Sequence, residues 1–583
     1  MLLYMYGGTM SLSSRVNEKA SLIWAIADKL TGVYKPHEYG EVILPLTVLR
    51  RFDCILADTK PAVLDTYNKL KDQNLDLLDS LLYEVAGHKF YNISKYTFKT
   101  LLDDPDNIES NFRDYINGFS NNVQDIIRKF KFDNHITTMA DKHILYMVIK
   151  EFTTDKANLH PDHISNLEMG YVFEEIIRRF SEAHNEDAGQ HYTPREVIRL
   201  MVNILFHDDN AVLSGQSVAR TIYDCACGTG GMLSVAEEYL ANLNSTSKLI
   251  SFGQELNDQT FAICKADMLI KGNDAERIKS GNTLSDDQFS GETFDYIISN
   301  PPFGREWKNE EAFVKNEAKL GFDGRFGPGL PSTADGQMLF LENAIKKINP
   351  QGSRIAIIHN GSPLFTGDAG SGPSEIRRYI LENDLLEAII ALPNDIFYNT
   401  GIATYIWVLS NKKAGTPREG KVQLINANDL YEKRRKSLGN KRNDIPESAI
   451  QEITKIYGEF RETEISKIFD NEDFGYTKIT VERPVLDEDG KPVLAKGKPK
   501  ADTKRRDTEI VPLKEDIGTY FEREILPFAP DAWIDSKKNK IGYEIPFTRH
   551  FYKYVAPRPS DEIMAEIKAL ESELDGALVE VFK

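Results

Sequence analysis

An amide, two prolines and an aromatic ring follow a short apolar run near the middle of the chain, as Asn300, Pro301, Pro302 and Phe303. The apolar run favours a buried β-strand. The prolines remove two backbone donors and force Asn300 into an extended conformation. The amide oxygen and a proline-flanked carbonyl can accept both hydrogens of an exocyclic amino group while Phe303 stacks on the ring. These residues could bind a planar heterocycle that carries an amino group. Asn-Pro-Pro alone fits a turn that merely ends a strand equally well.

A glycine turn lies upstream, where Gly228, Gly230 and Gly231 follow one predicted strand and open a predicted helix. Glycine lets a ligand approach the backbone closely because no Cβ intervenes. The next predicted strand ends in Glu255, whose carboxylate can accept both hydroxyls of a ribose. Taken alone, Glu255 fits a solvated strand end equally well. The sequence contains no glycine–lysine phosphate loop, so ATP hydrolysis is not indicated.

A loop between two predicted helices contains the run 190–195, which reads Gln-His-Tyr-Thr-Pro-Arg. Thr193 and Pro194 are predicted to be the N-cap and the first residue of the second helix. His191 could serve as a base or a metal ligand. No second ligand stands at metal-binding spacing, so we predict no metal site.

The elements that must position these groups alternate between strand and helix from residue 220 onward. Strands are predicted at 220–225, 249–255, 278–284, 294–299, 354–359, 386–392 and 402–409, with helices at 232–243, 258–270, 337–348 and 375–382. The alternation predicts an α/β fold with a doubly wound, mostly parallel sheet. The glycine turn, the glutamate and the tetrapeptide each follow a strand, so they are expected on one rim of one sheet. The connection 304–336 is longer than usual, and we interpret it as a DNA-facing or gating loop.

Three regions are predicted along the chain. Residues 11–165 form a helical amino-terminal domain, because apolar residues recur there at helical spacing. The α/β domain occupies residues 166–480. Residues 481–583 hold an insertion or exposed hairpin at 482–507 and a tail helix at 561–581 for subunit contacts.

The tail helix is amphipathic. The apolar residues on one face suit either a short coiled-coil contact or packing on the chain's own core, and they are Ile563, Ile567, Leu570, Leu574 and Leu578.

Composition excludes several classes of protein. The 583 residues carry a net charge of −18, which argues against a protein that coats nucleic acid unaided. Two basic clusters, at 433–442 and 496–506, are either solvated loops or local phosphate contacts. The four cysteines form no paired framework, so we expect reduced thiols and a cytoplasmic protein. No apolar run approaches the roughly 20 residues of a membrane span.

Taken together, the motifs resemble those of S-adenosylmethionine-dependent DNA methyltransferases that act on adenine N6. The chain is similar in particular to the modification subunits of type I restriction–modification systems. The resemblance rests on the run 190–195, the glycine turn, Asn300 to Phe303, and the segments Ala391-Leu392-Pro393, Ile396-Phe397 and Asn399-Thr400-Gly401.

The resemblance implies a role for each of these positions. The residues expected to bind S-adenosylmethionine are Gln190, His191, Tyr192, Thr193, Pro194, Arg195, Asp224, Gly228, Thr229, Gly230, Gly231, Glu255, Asn282 and Thr283. Asn282 and Thr283 are placed near the cofactor adenine, although many relatives have Asp at the first of these positions. Asn300, Pro301, Pro302 and Phe303 are expected to bind the amino group and ring of a flipped adenine.

The same resemblance implies duplex DNA, a specificity subunit, a second copy of this chain and a restriction subunit as partners, and no membrane. Methylation of a protein glutamine, methylation of cytosine N4, and a non-catalytic, cofactor-binding assembly subunit are the alternatives. The intact set Asn300 to Phe303 argues against the last of these.

Overall fold

The computed structural model describes residues 26–73, 77–182, 193–209, 213–215, 218–398, 400–495, 497–552 and 557–581, with Ser21 and Tyr554 as single positions. The described α-helices, α1 to α19, are Tyr39–Leu56, Lys60–Leu70, Leu78–Ala86, Ile108–Asn117, Asn121–Lys129, Asp133–Asp141, Leu145–Phe152, Asn166–Glu182, Arg195–Phe206, Gly231–Leu243, Asp258–Ile270, Glu311–Ala318, Gln337–Lys346, Ser362–Phe365, Gly372–Glu382, Glu447–Glu459, Ile517–Tyr520, Phe547–Phe551 and Ser560–Val581. The described strands, β1 to β17, are Ala219–Asp224, Lys248–Glu255, Ile278–Ser280, Tyr296–Ser299, Arg354–Asn360, Leu386–Ala391, Thr404–Ser410, Lys421–Asn426, Glu432–Leu438, Lys441–Asp444, Ser466–Asp470, Gly475–Glu482, Leu494–Ala495, Lys498–Pro499, Asp507–Pro512, Trp533–Ile534 and Lys540–Tyr543.

The amino-terminal region is helical, as its apolar periodicity predicts. Helices α1 to α7 surround a core rich in aromatic rings, in which Phe98 lies edge-on to Tyr115 with ring centroids 5.6 Å apart. The buried Arg51 of α1 donates to the carbonyl of Ile164 at 3.0 Å, which ties this region to the segment preceding α8.

The centre of the protein is a nine-stranded sheet in the order β11-β8-β6-β7-β5-β4-β1-β2-β3. Strands β3, β2, β1, β4 and β5 are parallel to one another, and β6 is parallel to β8. Strand β7 runs antiparallel between β5 and β6, and β11 is an antiparallel edge. Strands β4, β6 and β7 are buried along their whole length, which explains their continuous apolar sequences. The predicted doubly wound, mostly parallel α/β sheet is confirmed.

The carboxyl ends of the parallel strands share one rim. In the strand register Ser280 pairs with Glu255, Ser299 with Ile357, and Ala391 with Asn426. The strand predicted at 278–284 ends early, at Ser280. There the chain turns at Gly281, whose φ is 152°, and the Asn282 side chain accepts from the amide of Leu284 at 2.9 Å.

The connection between β4 and α13 is packed into a wall with a small core of its own. Helix α12 lies within it, and Trp307, Val314 and Phe326 pack on Leu339 of α13 in a small separate core. Buried Arg325 donates to the carbonyl of Thr283 at 2.6 Å and to that of Leu284 at 3.1 Å. These contacts hold the wall against the sheet rim beside β3.

The carboxyl-terminal part begins with a small antiparallel sheet in which β12 pairs with β15, β16 and β17. The predicted insertion at 482–507 contains the short hairpin β13–β14. Residues 546–583 form a separate compact unit with α18 and α19. Within α19, Ile563, Ile567, Leu570 and Leu574 are 42%, 46%, 63% and 66% exposed.

None of the helices that the structure describes combines the length and the apolar character needed to span a bilayer.

Candidate functional site

Two clefts open along the carboxyl rim of the sheet and meet at Ala226. The larger encloses about 720 Å³ and has a mixed lining of polar and apolar residues, namely Cys225, Ala226, Glu255, Leu256, Asn282, Thr283, Leu284, Pro302, Arg305, Glu306, Trp307, Glu310, Gly336 and Phe340. The smaller encloses about 410 Å³ and is lined by Glu174, Thr193, Ile198, Asp224, Ala226, Cys227, Gly228, Thr229, Gly231, Met232 and Asn300. The fold thus brings most of the described motif residues into one continuous groove.

The glycine turn between β1 and α10 lines the smaller cleft through Gly228, Thr229 and Gly231. Gly228 and Gly230 adopt φ values of 53° and 82°, a region that favours glycine. A Cβ on Gly230 would lie 2.7 Å from Sγ of Cys264, so this position has no room for a side chain. The packing of Cys264 against the turn therefore requires glycine at this position.

Glu255 ends β2 and its carboxylate already organises the turn. One carboxylate oxygen accepts from the amide of Gly228 and the other from that of Asn257, both at 2.8 Å. The side chain is buried but lines the larger cleft. Since a carboxylate offers about four acceptor positions, two remain for a ligand.

Asp224 ends β1 beneath the smaller cleft. One of its oxygens accepts from the amide of Ala226 at 3.0 Å and from the hydroxyl of Ser299 at 2.7 Å. Burial raises the pKa of this carboxyl to about 7, against the lowering effect of these two hydrogen bonds. The group can therefore change its charge near neutral pH.

Asn300 follows β4 and faces the smaller cleft. Its Nδ2 donates to the hydroxyl of Thr193 at 2.8 Å, whereas its buried Oδ1 has no hydrogen-bond partner among the described residues. Thr193 was predicted to cap the next helix, and this prediction is wrong. The N-cap of α9 is Pro194, without a side-chain capping bond, because the threonine hydroxyl is used to hold Asn300 instead.

The remaining residues of the tetrapeptide surround this amide. Pro302 lines the larger cleft, so the tetrapeptide borders both clefts. Phe303 is half-buried and lies perpendicular to Phe397 of the segment after β6, with ring centroids 6.3 Å apart. Asn300 is thus held by the segment before α9, and Phe303 contacts the segment after β6.

The two residues expected near a cofactor adenine lie in the larger cleft. The Thr283 hydroxyl donates to the carbonyl of Cys225 at 2.6 Å. Asn282 donates from Nδ2 to Oε1 of Glu310 at 2.7 Å, so its amide is joined to the wall formed by residues 304–336. Gln190, His191 and Tyr192, which were also predicted for the cofactor site, lie outside the described residues, as does Asn399.

Several lining residues were not identified from sequence, and four of them bear on the chemistry of the site. Trp307, Glu310 and Phe340 enter the larger cleft from the wall and from α13, and no local pattern distinguishes them. Buried Glu174 of α8 enters the smaller cleft and pairs with Arg195 at 3.4 Å. The sequence could have identified this glutamate, because a charged residue on the apolar face of an amphipathic helix is unusual and indicates a specific role.

The part of the chain that the structure describes holds no group of three or more His, Cys, Asp or Glu side chains arranged to bind a metal ion. All four cysteines are buried free thiols.

Comparison with known proteins covers most of the chain. Residues 165–483 match the family model described as N-6 DNA Methylase, and residues 19–152 match the HsdM N-terminal domain. The type I restriction enzyme MjaIX methylase subunit of Methanocaldococcus jannaschii is 25% identical over 480 residues, covering 78% of this chain and 79% of the relative. The HindI methylase subunit of Haemophilus influenzae is 29% identical over 283 residues, 48% of this chain and 58% of the relative.

A solved structure shows the same fold. The type I restriction–modification system methyltransferase subunit from Streptococcus thermophilus superposes with a TM-score of 0.60 and 21% identity, covering 78% of this chain and 96% of that one. Because the family model spans more than half of the sequence, the chain belongs to the N-6 DNA methylase family.

Proposed function

We propose that the protein transfers a methyl group from S-adenosylmethionine to N6 of an adenine flipped out of duplex DNA, as the modification subunit of a type I restriction–modification system. The observation that carries this proposal is the buried Asn300 amide. Its nitrogen is held by Thr193 and its oxygen has no partner among the residues that the structure describes, in a groove beside a glycine turn and a strand-terminal carboxylate.

The residues of the groove fit the proposed cofactor. The larger cleft offers apolar walls at Leu256, Trp307 and Phe340 for an adenine ring, and Glu255 for ribose hydroxyls. The smaller cleft offers Glu174 and Asp224, whose carboxylates suit a cationic amino acid portion. When bound, S-adenosylmethionine supplies a methyl group on a sulfonium that already carries its leaving group.

The protein's own contribution is to bind and align the amino group that is methylated. Oδ1 of Asn300 and the carbonyl of Pro301 accept hydrogen bonds from the two hydrogens on N6. These bonds favour a tetrahedral geometry at N6, in which the nitrogen is more nucleophilic. Phe303 stacks on the flipped ring, whose removal from the duplex costs a few kcal/mol. With both reactants held in one groove, alignment accounts for much of the rate.

The experiment that tests the proposal is incubation of the full chain with methyl-labelled cofactor and DNA, with and without a co-expressed specificity subunit. Chromatography of the digested DNA identifies the modified base. We expect N6-methyladenine. Label in N4-methylcytosine or in protein identifies one of the other methyl transfers, and absence of label from DNA and protein despite cofactor binding identifies an assembly subunit.

The raised pKa of Asp224 predicts how cofactor binding depends on pH. A cationic ligand favours the ionised carboxylate, so affinity should be highest above pH 7 and decline as pH falls below about 7, where the free protein's Asp224 is protonated. The decline approaches tenfold per pH unit. Calorimetric titrations across this range check the prediction, with Asp224→Asn as the matched control. Equal pH dependence in the variant and the wild type would contradict it.

We also propose that residues 11–165 act as an accessory domain, 166–480 as the catalytic domain, and 481–583 as the region for subunit contacts. The specificity subunit is the expected source of sequence recognition, with a second copy of this chain and a restriction subunit as further partners. The names of the matched relatives and the exposed apolar residues of α19 support this assignment. An isolated helix of this length is only marginally stable in water.

Deletion of residues 561–583 is therefore expected to leave cofactor binding intact while impairing complex formation and sequence-specific methylation. Co-purification with the specificity subunit, alongside cofactor titration, measures both properties. The double variant Leu570→Ser and Leu574→Ser tests the same surface without truncation, because both side chains are more than half exposed. Normal assembly by these variants would show that α19 is not the docking element.

A further inference from the structure

A strongly basic β-hairpin follows β8. Strands β9 and β10 pair antiparallel, with Lys433 opposite Asn443 and Leu438 opposite Lys441. Residues 431–444 contain six Lys or Arg and two acidic side chains, in a chain whose net charge is −18. A cluster of one sign that departs this far from the rest of the surface indicates an electrostatic binding function.

Most of this positive charge is not neutralised locally. Arg434 is paired with Asp444, and Lys441 is buried in a network of its own. The other four cations are exposed and make no ion pair with any residue that the structure describes, and they are Lys433, Arg435, Lys436 and Arg442. Side chains alternate between the two faces of a strand, so the hairpin presents charge on both.

The hairpin is fixed to the rim of the sheet. The amide of Asn440 donates to the carbonyl of Tyr398 at 2.8 Å, and that of Arg442 to the carbonyl of Asp395 at 2.8 Å. The buried Lys441 ammonium donates to the carbonyl of Ile396 at 3.1 Å and also pairs with Glu196 of α9. A buried cation with this many partners positions the hairpin rigidly, unlike a solvated loop.

The segment that holds the hairpin also contacts the candidate active site. Phe397, between the hairpin's anchor points at Ile396 and Tyr398, packs edge-on against Phe303. Glu196, the partner of Lys441, lies next to Arg195 at the start of α9. The exposed cations are thus carried by an element anchored to the segment 395–398, which contacts Phe303, and to Glu196 at the start of α9.

We propose that the β9–β10 hairpin binds the backbone phosphates of the duplex beside the flipped adenine. The inference rests on the proposed function, and it assigns to this chain a sequence-independent contact with the DNA backbone. Phosphate contacts of this kind fix the position of a protein on the duplex without reading bases. Positioning matters here because the duplex must lie at the distance from Asn300 that lets the flipped adenine reach this side chain.

The test compares two full-length variants with equal loss of charge. The hairpin variant carries Lys433→Gln, Arg435→Gln, Lys436→Gln and Arg442→Gln. The control carries Lys491→Gln, Lys498→Gln, Lys500→Gln and Lys504→Gln, four exposed lysines of the 482–507 insertion. Fluorescence anisotropy with a short labelled duplex is measured over a series of salt concentrations, and cofactor affinity is measured by calorimetry.

The hairpin variant is expected to bind duplex roughly tenfold to hundredfold more weakly at low salt, with the slope of log K against log salt reduced by about two to four units. Its cofactor affinity should equal that of the wild type, and the control should bind DNA as the wild type does. An unchanged slope, or an equal loss in both variants, overturns the inference. Methyl transfer to DNA by the wild type is measured separately. If the hairpin does not bind DNA but the wild type methylates it, only the inference about the hairpin is wrong. If the wild type neither binds nor methylates DNA when the specificity subunit is present, both fail.

Discussion

Replacement of Asn300 by alanine is expected to slow methyl transfer about 10²–10³-fold while leaving cofactor affinity nearly unchanged. The side chain contributes the one free buried amide oxygen in the described part of the smaller cleft, and that oxygen is proposed to contact the substrate amino group. Loss of a single preorganised polar group that acts on the reacting centre costs about 10²–10³-fold in rate. Single-turnover methylation with labelled cofactor measures the first property, and calorimetry the second.

Two further variants make this result interpretable. Thr193→Val removes the hydroxyl that accepts from Asn300 but leaves the amide oxygen in place. It should therefore lower the rate by less than the alanine substitution does. Gly228→Ala, in a turn with φ of 53°, should instead weaken cofactor binding. A loss of cofactor affinity in the Asn300 variant as large as that of the Gly228 variant would assign Asn300 to the cofactor site.

The second large effect is expected at Glu255, where alanine should weaken cofactor binding by about 1–3 kcal/mol, or roughly 5- to 150-fold in Kd. The substitution removes the proposed acceptor for ribose hydroxyls and also releases the amides of Gly228 and Asn257, which the carboxylate now holds. Calorimetric titration with S-adenosylmethionine measures the change.

Glu306→Ala is the matched control, because Glu306 lines the same cleft but is a 58% exposed side chain paired with Lys308. Its exposed ion pair contributes little, so its effect should stay below that of Glu255→Ala. Unchanged affinity in the Glu255 variant would remove this residue from the cofactor site. Thermal unfolding of both variants shows whether a loss of binding reflects a loss of the folded turn.

Much of this architecture follows from local properties of the sequence. Apolar runs of four to seven residues separated by amphipathic segments determine strand and helix identity, and the alternation of the two determines a mainly parallel sheet. Ligands bind at the carboxyl ends of parallel strands, and this rule predicts from sequence that the glycine turn, Glu255 and Asn300 lie on one rim of the sheet. The end of β3 was less predictable: the strand stops at Ser280, and the turn that follows includes a hydrogen bond that the Asn282 side chain accepts from the amide of Leu284.

Only the tertiary structure decided which side chains meet. Thr193 has the local signature of a helix cap, yet its hydroxyl holds an amide distant in sequence. The segment 304–336 is recognisable from sequence as an unusually long connection, but only the structure shows that its Trp307 and Phe326 pack on Leu339 and that it lines one side of the larger cleft. The basic run at 433–442 fits either a solvated loop or a phosphate contact from sequence, and only the structure shows that buried Lys441 fixes it to the rim. Propensity and periodicity act over a few residues, whereas these contacts join segments far apart in the chain, and their energies exist only once the sheet has assembled.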